Sequence, residues 1–248
     1  MRLKVCLEIR MSIISGQSFE NFFKYYKSEA HQIEAISQLY AELPTALKDE
    51  SCEWIKTYRG ENKPPAPVGS NPLDVPFQSQ NDNISGTGYR ECFSSSCAMV
   101  AMYYGKIEND DAYNLVRQKY GDSTDAQAQV RALRSLGLEA NFITNATTGD
   151  VKAAIDAGRP VPCGWLHHGP VSNPTGGGHY SVVVGYSDDQ QFWYVNDPNG
   201  EASLSGGGYT DNLNGDHLHY SYKNWNPRWI VEGEGSGWMM DIRDPAKK

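Results

Sequence analysis

The spacing of apolar and polar positions changes twice along this chain and divides it into three parts. In residues 18–59 apolar residues recur three and four positions apart, which predicts short α-helices. The next stretch, GENKPPAPVGSNP at 60–72, concentrates Pro and Gly without apolar periodicity, which is typical of a semi-rigid linker. We therefore predict a small N-terminal α-helical unit over residues 1–59, a linker over 60–72 and a larger domain over 73–248.

Within the larger domain the pattern is helical first and extended afterwards. A short strand-like segment, LDVPFQSQND, precedes a buried helix rich in small residues, CFSSSCAMVAMYYG. A polar or acidic start, an apolar stripe and a nearby glycine indicate three more helices, in DDAYNLVRQKYG, DAQAQVRALRSLG and TGDVKAAIDAGR. Strand-length runs rich in Val, Tyr and Trp follow in PVPCGWL, HYSVVVGYS and QFWYVNDP. Helices followed by antiparallel strands predict an α+β domain.

Charge and cysteine usage narrow the class of function. The 248 residues carry a formal net charge of −8 with no run of Lys or Arg, so we expect no nucleic-acid partner. No window approaches the roughly 18 uninterrupted apolar residues of a membrane span, so we expect no membrane insertion. The opening MRLKVCLEIRMSIISGQ mixes charges into its apolar residues, unlike a secretory signal, and predicts cytoplasmic synthesis without a signal peptide. The spacing of the five cysteines predicts no disulfide framework and no paired metal site.

Two cysteines, Cys92 and Cys97, lie at the start of the predicted small-residue helix. The thiolate is the nucleophilic form of cysteine, and free N–H groups at a helix N-terminus favour it. Cys92 occupies that start, whereas Cys97 lies about 140° around the helix and past its first turn. A free cysteine in that second position usually packs as a small apolar residue. Cys92 is therefore the candidate nucleophile, provided that a base lies beside it.

Candidates for the base and its supporting groups are present. His179 follows TGGG and opens the strand HYSVVVGYS, which would hold its ring on a rigid element. Asp197 ends the next predicted strand, and a hairpin would bring its carboxylate to His179 to orient the ring. Gln80 can supply a side-chain N–H that forms an oxyanion hole with the backbone N–H of Cys92. Together these residues would make the site of a thiol hydrolase.

Other polar clusters leave alternatives open. His167 and His168 could replace His179 as the base, although adjacent strand residues point to opposite faces, so at most one could face Cys92. The segment YTDNLNGDHLHY offers oxygen and imidazole groups to a metal, but a surface turn rich in Asn and Asp is the simpler interpretation. Thiol chemistry needs no metal or other cofactor. The side chains of that segment that could bind a metal, called here the metal-type side chains, are Asp211, Asn214, Asp216, His217 and His219.

Four motifs together resemble the C39-like peptidases, a branch of the papain-like cysteine peptidases. They are DVPFQSQND, ECFSSSCAMVAMYYG, GGGHYSVVVGYS and FWYVNDPNG, which follow in family order within residues 73–238. The resemblance implies a papain-like α+β fold, in which the helical part carrying the nucleophile packs on an antiparallel sheet. It also implies that Cys92 is the nucleophile, His179 the general base and acid, Asp197 the orienting group and Gln80 the oxyanion donor.

One position departs from the family pattern, since Phe93 stands where the family usually has glycine. This departure bears on the shape of the oxyanion loop and on the width of the adjacent subsite. Phe93, Gly177, Gly178 and Trp165 are our candidate substrate-binding residues, because a glycine-lined groove suits peptides with small residues. Three further tryptophans are candidates for the groove wall, but a core position is favoured for each of them and for Trp165, because tryptophan is usually largely buried; the three are Trp193, Trp225 and Trp229.

The N-terminal helical unit and the tail YSYKNWNPRWIVEGEGSGWMM resemble bacteriophage-encoded proteins with a C39-like domain. This resemblance implies an endolysin that cleaves peptidoglycan peptides. Such an enzyme is expected to be made in the cytoplasm, to reach the bacterial cell wall through a separate pore-forming lysis protein, and to act as a monomer. A protein-processing C39-like peptidase and a non-catalytic cell-wall-binding module on a peptidase scaffold remain alternatives.

Overall fold

The computed structural model of the protein describes residues 71–247. The predicted helical unit at residues 1–59 and residues 60–70 of the predicted linker lie outside this range. The division of the chain into a helical unit, a linker and a larger domain therefore stays a prediction.

The first described segment runs to the start of the small-residue helix without forming a strand. It contains two single-turn 3-10 helices, at Gln80–Asp82 and Gly88–Arg90. The prediction of a short strand in LDVPFQSQND is therefore wrong. The N–H of Val75 turns back to the carbonyl of Leu73 at 3.0 Å, and Pro76 has no N–H to offer to a neighbouring strand.

Four helices form where the polar starts and apolar stripes predict them. In each of the last three helices, the side chain of the N-cap residue accepts a hydrogen bond from a backbone N–H of the first turn. The N-cap residues are Asn109, Asp125 and Thr147. The fourth helix begins with a full capping box, because Asp150 also reaches back to the N-cap backbone. The helices are α1 (Cys92–Tyr103), α2 (Asp110–Arg117), α3 (Ala126–Ser135) and α4 (Thr148–Asp156).

One antiparallel six-stranded sheet holds the domain together, in the order β1, β8, β2, β3, β4, β7. The three predicted strands form its centre. A separate two-stranded ribbon of β5 and β6 lies in the connection from β4 to β7. The strands are β1 (Glu139–Ala146), β2 (Val161–Trp165), β3 (His179–Ser187), β4 (Phe192–Asn196), β5 (Glu201–Ala202), β6 (Tyr209–Asp211), β7 (Leu218–Ser221) and β8 (Gly237–Arg243).

The predicted succession of helices followed by strands needs two corrections. Strand β1 lies between α3 and α4, and a fifth helix, α5 (Tyr222–Trp229), lies between β7 and β8. The sequence of β1, EANFITNA, has no clean period-two alternation of polar and apolar residues, and burial along the strand does not alternate cleanly either. Helix α5 contains Pro227, a residue that weakens a helical pattern.

Helix α1 lies at the centre of the domain, against β3 and β2. Small residues let it approach the sheet closely, and two of its three buried serine hydroxyls, those of Ser94 and Ser95, are bonded to the neighbouring helices. Ser95 donates to Asp110 at 2.5 Å, and Gln129 donates to Ser94 at 2.9 Å. The predicted α+β fold of papain-like arrangement is confirmed, since the helix that begins at Cys92 packs on an antiparallel sheet. No helix within residues 71–247 is long and apolar enough to cross a membrane.

Candidate active site

Cys92 is the first residue of α1, and its side chain is partly exposed. The preceding residue, Glu91, is the N-cap, but its side chain does not cap the helix. The other two cysteines in the described part of the chain, Cys97 and Cys163, are fully buried, and burial raises the pKa of both thiols well above the ordinary value. Cys92 is therefore the thiol that a ligand can reach.

The hairpin of β3 and β4 brings His179 and Asp197 together. His179 begins β3, Asp197 directly follows β4, and the two strands pair Val182 with Asn196. Nε2 of the His179 ring lies 2.6 Å from Oδ1 of Asp197, and both side chains are almost fully buried. Because Asp197 takes Nε2, the nitrogen left for Cys92 is Nδ1.

The surroundings of His179 favour the protonated ring. Burial alone would lower its pKa, but the Asp197 carboxylate and the Cys92 sulfur raise it by charge and hydrogen bonding, to about 10. The ring is therefore an imidazolium at neutral pH, and its positive charge faces both the carboxylate and the sulfur. This arrangement is suited to a thiolate–imidazolium pair.

Asp197 has a set of hydrogen-bond donors that the sequence analysis missed. The Tyr220 hydroxyl donates to Oδ2 at 2.9 Å, the N–H of Asn199 donates to Oδ1 at 3.0 Å, and the Tyr209 hydroxyl approaches Oδ1 at 3.5 Å. Tyr220 reaches this position because β7 pairs with β4 and sets it opposite Trp193. The tyrosine in HLHY carries no local signal of this role, because the contact spans two strands.

Gln80 is buried, and both its backbone and its side chain are anchored. Its N–H donates to the carbonyl of Pro198 at 2.8 Å, and its Nε2 donates to the carbonyl of Gly88 at 2.9 Å. The second N–H of that amide is left for another acceptor. Gly88 must be glycine, because a Cβ there would lie 2.0 Å from the Gln80 carbonyl oxygen.

A cleft of about 610 Å³ opens at Cys92, and the four predicted substrate-binding residues all line it. Phe93 contributes little exposed surface, because its ring stacks on Tyr180 with 3.6 Å between centroids and 5° between planes. Gly164 makes room for that stack, since a Cβ there would lie 2.7 Å from the Tyr180 ring. The predicted residues are Phe93, Trp165, Gly177 and Gly178.

The tryptophans of the groove prediction divide between the cleft and the core. Trp193 and Trp225 are fully buried and take no part in the cleft wall. Trp229 lines the cleft with almost no exposed surface, and its Nε1 donates to the carbonyl of Trp238 at 2.9 Å. Trp238 itself is half exposed in the cleft wall, a residue that the sequence analysis did not select.

His167 and His168 follow β2 instead of lying in it, so the alternation expected of strand neighbours does not apply to them. Their rings lie side by side, with 3.9 Å between centroids, and the His167 ring lies 5.6 Å from that of His179. Burial, followed by the charges of His179 and His168, lowers the pKa of His167 to about 4. The His167 ring is therefore uncharged at neutral pH, whereas His179 carries the additional proton that a general acid gives to a leaving group.

A buried guanidinium fixes the loop that contains these histidines. Arg228 of α5 donates to the carbonyls of Leu166 and His168 at 3.0 and 3.1 Å. It also donates to the carbonyls of Gly169 and Leu204 at 2.8 Å each. One side chain thus ties the segment after β2 to the segment after β5.

The metal-type side chains after β6 bond to one another or to nearby groups. Asp211 accepts from the N–H of Leu213 at 2.7 Å and from Asn214 at 2.6 Å, as in an Asx turn. Nδ1 of His217 lies 2.6 Å from Asp216, and the His219 ring stacks on Phe192. Within residues 71–247, no group of three or more His, Cys, Asp or Glu side chains is placed to hold a metal ion.

Comparison with known proteins identifies similar solved structures and a matching family model. The solved structures similar to the chain include a double glycine motif protease from an AMS/PCAT transporter in complex with the leader peptide. That structure has 20% identity and a TM-score of 0.45, and the match covers 71% of this chain and 96% of that chain. A putative C39-like peptidase from Bacillus anthracis has 17% identity and a TM-score of 0.42, and the match covers 68% of this chain and 95% of that chain.

A digestive procathepsin L2 proteinase from Tenebrio molitor has 13% identity and a TM-score of 0.34, with 91% of this chain and 98% of that chain covered. Comparison with curated proteins gives no match. The model of the Peptidase_C39 like family matches residues 72–227, which is more than half of the sequence. The chain therefore belongs to the C39-like family of cysteine peptidases.

Proposed function

We propose that the protein hydrolyses peptide bonds with a triad of Cys92, His179 and Asp197, and with Gln80 as a donor to the oxyanion. The observation that carries this proposal is the buried His179–Asp197 pair, 2.6 Å apart, next to the accessible thiol at the start of α1. A nucleophile, a base within its reach and a third group that orients the base make up the general constellation of covalent hydrolysis.

In the acylation step, the Cys92 sulfur forms a bond to the peptide carbonyl carbon, and the carbonyl electrons move to its oxygen. That oxyanion is stabilised by the N–H of Cys92 and by the free N–H of the Gln80 amide. Nδ1 of His179 gives its proton to the leaving amine as the C–N bond breaks, which leaves a thioester. A water molecule then gives a proton back to His179 while its oxygen attacks the thioester, and the acid and the Cys92 thiolate are released.

We further propose that the substrate is a peptidoglycan peptide and that the protein acts as a phage endolysin. Gly177 and Gly178 in the cleft wall support this substrate, because residues without a Cβ leave space for the backbone of peptides with small or D-configured residues. The enzyme would be made in the cytoplasm, act as a monomer and reach the cell wall through a separate pore-forming lysis protein.

The test of the proposed function is the release of new amino groups from purified peptidoglycan. Cys92→Ser is compared with Cys97→Ser as the matched control, because both replace one thiol of the same helix. We expect wild type and Cys97→Ser to release amino groups and Cys92→Ser to release none, and mass spectrometry of the soluble fragments to identify the bond.

Two other results would contradict parts of the proposal. Release of amino groups from denatured proteins but not from cell walls would favour a protein-processing peptidase and refute the endolysin role. Undiminished lysis by Cys92→Ser would refute the nucleophile, and cell-wall binding by wild type without any release of amino groups would favour a non-catalytic binding module.

A further inference from the structure

Glu91, the residue immediately before the proposed nucleophile, is a buried carboxylate that accepts four side-chain hydrogen bonds. Asn83 donates to it at 2.7 Å, Ser85 at 2.8 Å, Thr87 at 2.8 Å and Asn114 at 3.1 Å. The first three donors belong to one polar segment of the chain. That segment is the connection between the Gln80 turn and α1.

Apart from these bonds, the connection is held by the N–H of Ile84, which donates to Asp111 at 3.0 Å, and by the carbonyl of Gly88, which accepts from Gln80 at 2.9 Å. Ile84 and Ser85 are exposed, and Gly86 has a φ of 71°. The main chain forms a bond from Arg90 to Thr87 at 3.0 Å only near the end of the connection. Hydrogen bonds to a charged group are stronger than neutral ones, and Glu91 accepts three of them from this segment whereas Asp111 accepts one, so the Glu91 carboxylate is the strongest single anchor of the segment.

Glu91 and Gln80 are also joined directly through one carbonyl group. The carbonyl oxygen of Gly88 accepts the side-chain N–H of Gln80 at 2.9 Å and the backbone N–H of Glu91 at 2.9 Å. A shift of Glu91 therefore moves the acceptor that orients the Gln80 amide. It also moves the backbone N–H of Cys92, since Cys92 is the next residue.

The charge state of Glu91 agrees with this role. Burial raises the pKa of its carboxyl, but the donors Asn83, Thr87 and Ser85, together with the Arg117 charge, outweigh burial and hold the pKa below its ordinary value. A carboxylate can accept on both oxygens, whereas an amide places two N–H donors where one oxygen stood. Glutamine at this position would therefore keep the side-chain volume but lose part of the network.

We propose that Glu91 is a positioning residue of the oxyanion hole, which holds the connection in place and thereby sets Gln80 against the N–H of Cys92. Glu91 does not touch the substrate. The inference rests on the proposed roles of Cys92 and Gln80 and is independent of the endolysin role.

The experiment separates oxyanion stabilisation from the reactivity of the thiolate. The aldehyde acetyl-alanyl-glycinal forms a thiohemiacetal, in which the cysteine sulfur bonds to the aldehyde carbon and the former carbonyl oxygen enters the oxyanion hole. Iodoacetamide alkylates the same sulfur by displacement of iodide and has no such oxygen. The dissociation constant of the aldehyde and the alkylation rate are measured for wild type and Glu91→Gln, with circular dichroism melting as the check on folding.

For Glu91→Gln we expect aldehyde binding about tenfold weaker, with the alkylation rate of Cys92 within twofold of wild type. Thr87→Val removes one donor at an exposed position and serves as the second variant, with a smaller loss of aldehyde affinity and no change in melting. Asn114→Ala removes a Glu91 donor on the α2 side, and we expect lower stability with little loss of aldehyde affinity.

Equal aldehyde affinity in wild type and Glu91→Gln would overturn the inference and leave the proposed function intact. A parallel fall of affinity, alkylation and melting temperature would show a merely structural role and would also overturn it. If wild type forms no thiohemiacetal at all, the proposed nucleophile and oxyanion hole fail, and the inference fails with them.

Discussion

Replacing Tyr220 with phenylalanine tests how the buried Asp197 carboxylate of the proposed triad is held in place. The Tyr220 hydroxyl donates to Oδ2 of Asp197 at 2.9 Å and accepts the N–H of Ala202 at 3.0 Å. Oδ1 has His179 and the N–H of Asn199 as close partners, whereas Tyr220 is the donor to Oδ2 within residues 71–247. The substitution therefore leaves a buried carboxylate oxygen without a donor and the Ala202 N–H without an acceptor.

The expected magnitude follows from these two lost bonds. A hydrogen bond to a charged group contributes about 1.5–3 kcal/mol and a neutral bond about 1 kcal/mol, so the free energy of unfolding should fall by about 2.5–4 kcal/mol. A carboxylate free to rotate holds the His179 ring less firmly. If about 1.4 kcal/mol of the loss is felt in the transition state, kcat/KM falls about tenfold.

Tyr209→Phe is the matched control, because its hydroxyl approaches Asp197 only at 3.5 Å and on the oxygen that is already bonded. We expect it to lose less than about 1 kcal/mol of stability and less than about threefold in kcat/KM. Urea unfolding followed by tryptophan fluorescence gives the stability, and hydrolysis of the substrate found by the peptidoglycan assay gives kcat/KM. Equal effects of Tyr220→Phe and Tyr209→Phe on both quantities would refute the reasoning.

Three further predictions concern the ring charge, the aromatic stack and the buried guanidinium. Burial lowers the pKa of His179, and Asp197 together with Cys92 outweighs burial and raises it to about 10, so in Asp197→Asn the alkaline limb of kcat/KM should move to lower pH; an unmoved limb would contradict this. Gly164→Ala forces a Cβ to within 2.7 Å of the Tyr180 ring, and urea unfolding should show a loss of about 1–3 kcal/mol, whereas unchanged stability would mean that the ring moves freely. In Arg228→Lys the lysine ammonium cannot donate to all four backbone carbonyls, so urea unfolding should show a free energy of unfolding lower by about 1–3 kcal/mol. Unchanged stability would show that the guanidinium group is not needed there.

The parts of the fold that depend on neighbouring residues in sequence could be predicted. The start of α1 at Cys92 follows from a local pattern, and so does the hairpin that joins His179 to Asp197, because its two strands are separated by a short polar turn. The polar N-caps of α2, α3 and α4 gave further local signals. These local features are the ones that carry the proposed triad.

The features that were missed depend on contacts between distant parts of the chain. Strands β1 and β8 pair with each other although they are far apart in sequence, and β1 has no clean alternation to identify it. Glu91 stands beside Cys92 in the sequence, yet three of its four donors lie in a polar stretch that resembles any surface loop. The burial of Glu91 becomes visible only when the stretch is folded over it. The stack of Phe93 on Tyr180 likewise joins two elements that are far apart in sequence.

The hydrogen bond from the Gln80 N–H to the Pro198 carbonyl bears on when the active site assembles during folding. It joins the loop that precedes α1 to the turn after β4, and the neighbouring pair Ser79 and Pro198 is 119 residues apart. Closing so long a segment has a high entropic cost, which only a largely formed sheet can offset. We therefore expect a chain still emerging from the ribosome to carry a thiol but no assembled hydrolytic machinery. Late assembly of this kind would keep unfinished copies from cutting one another.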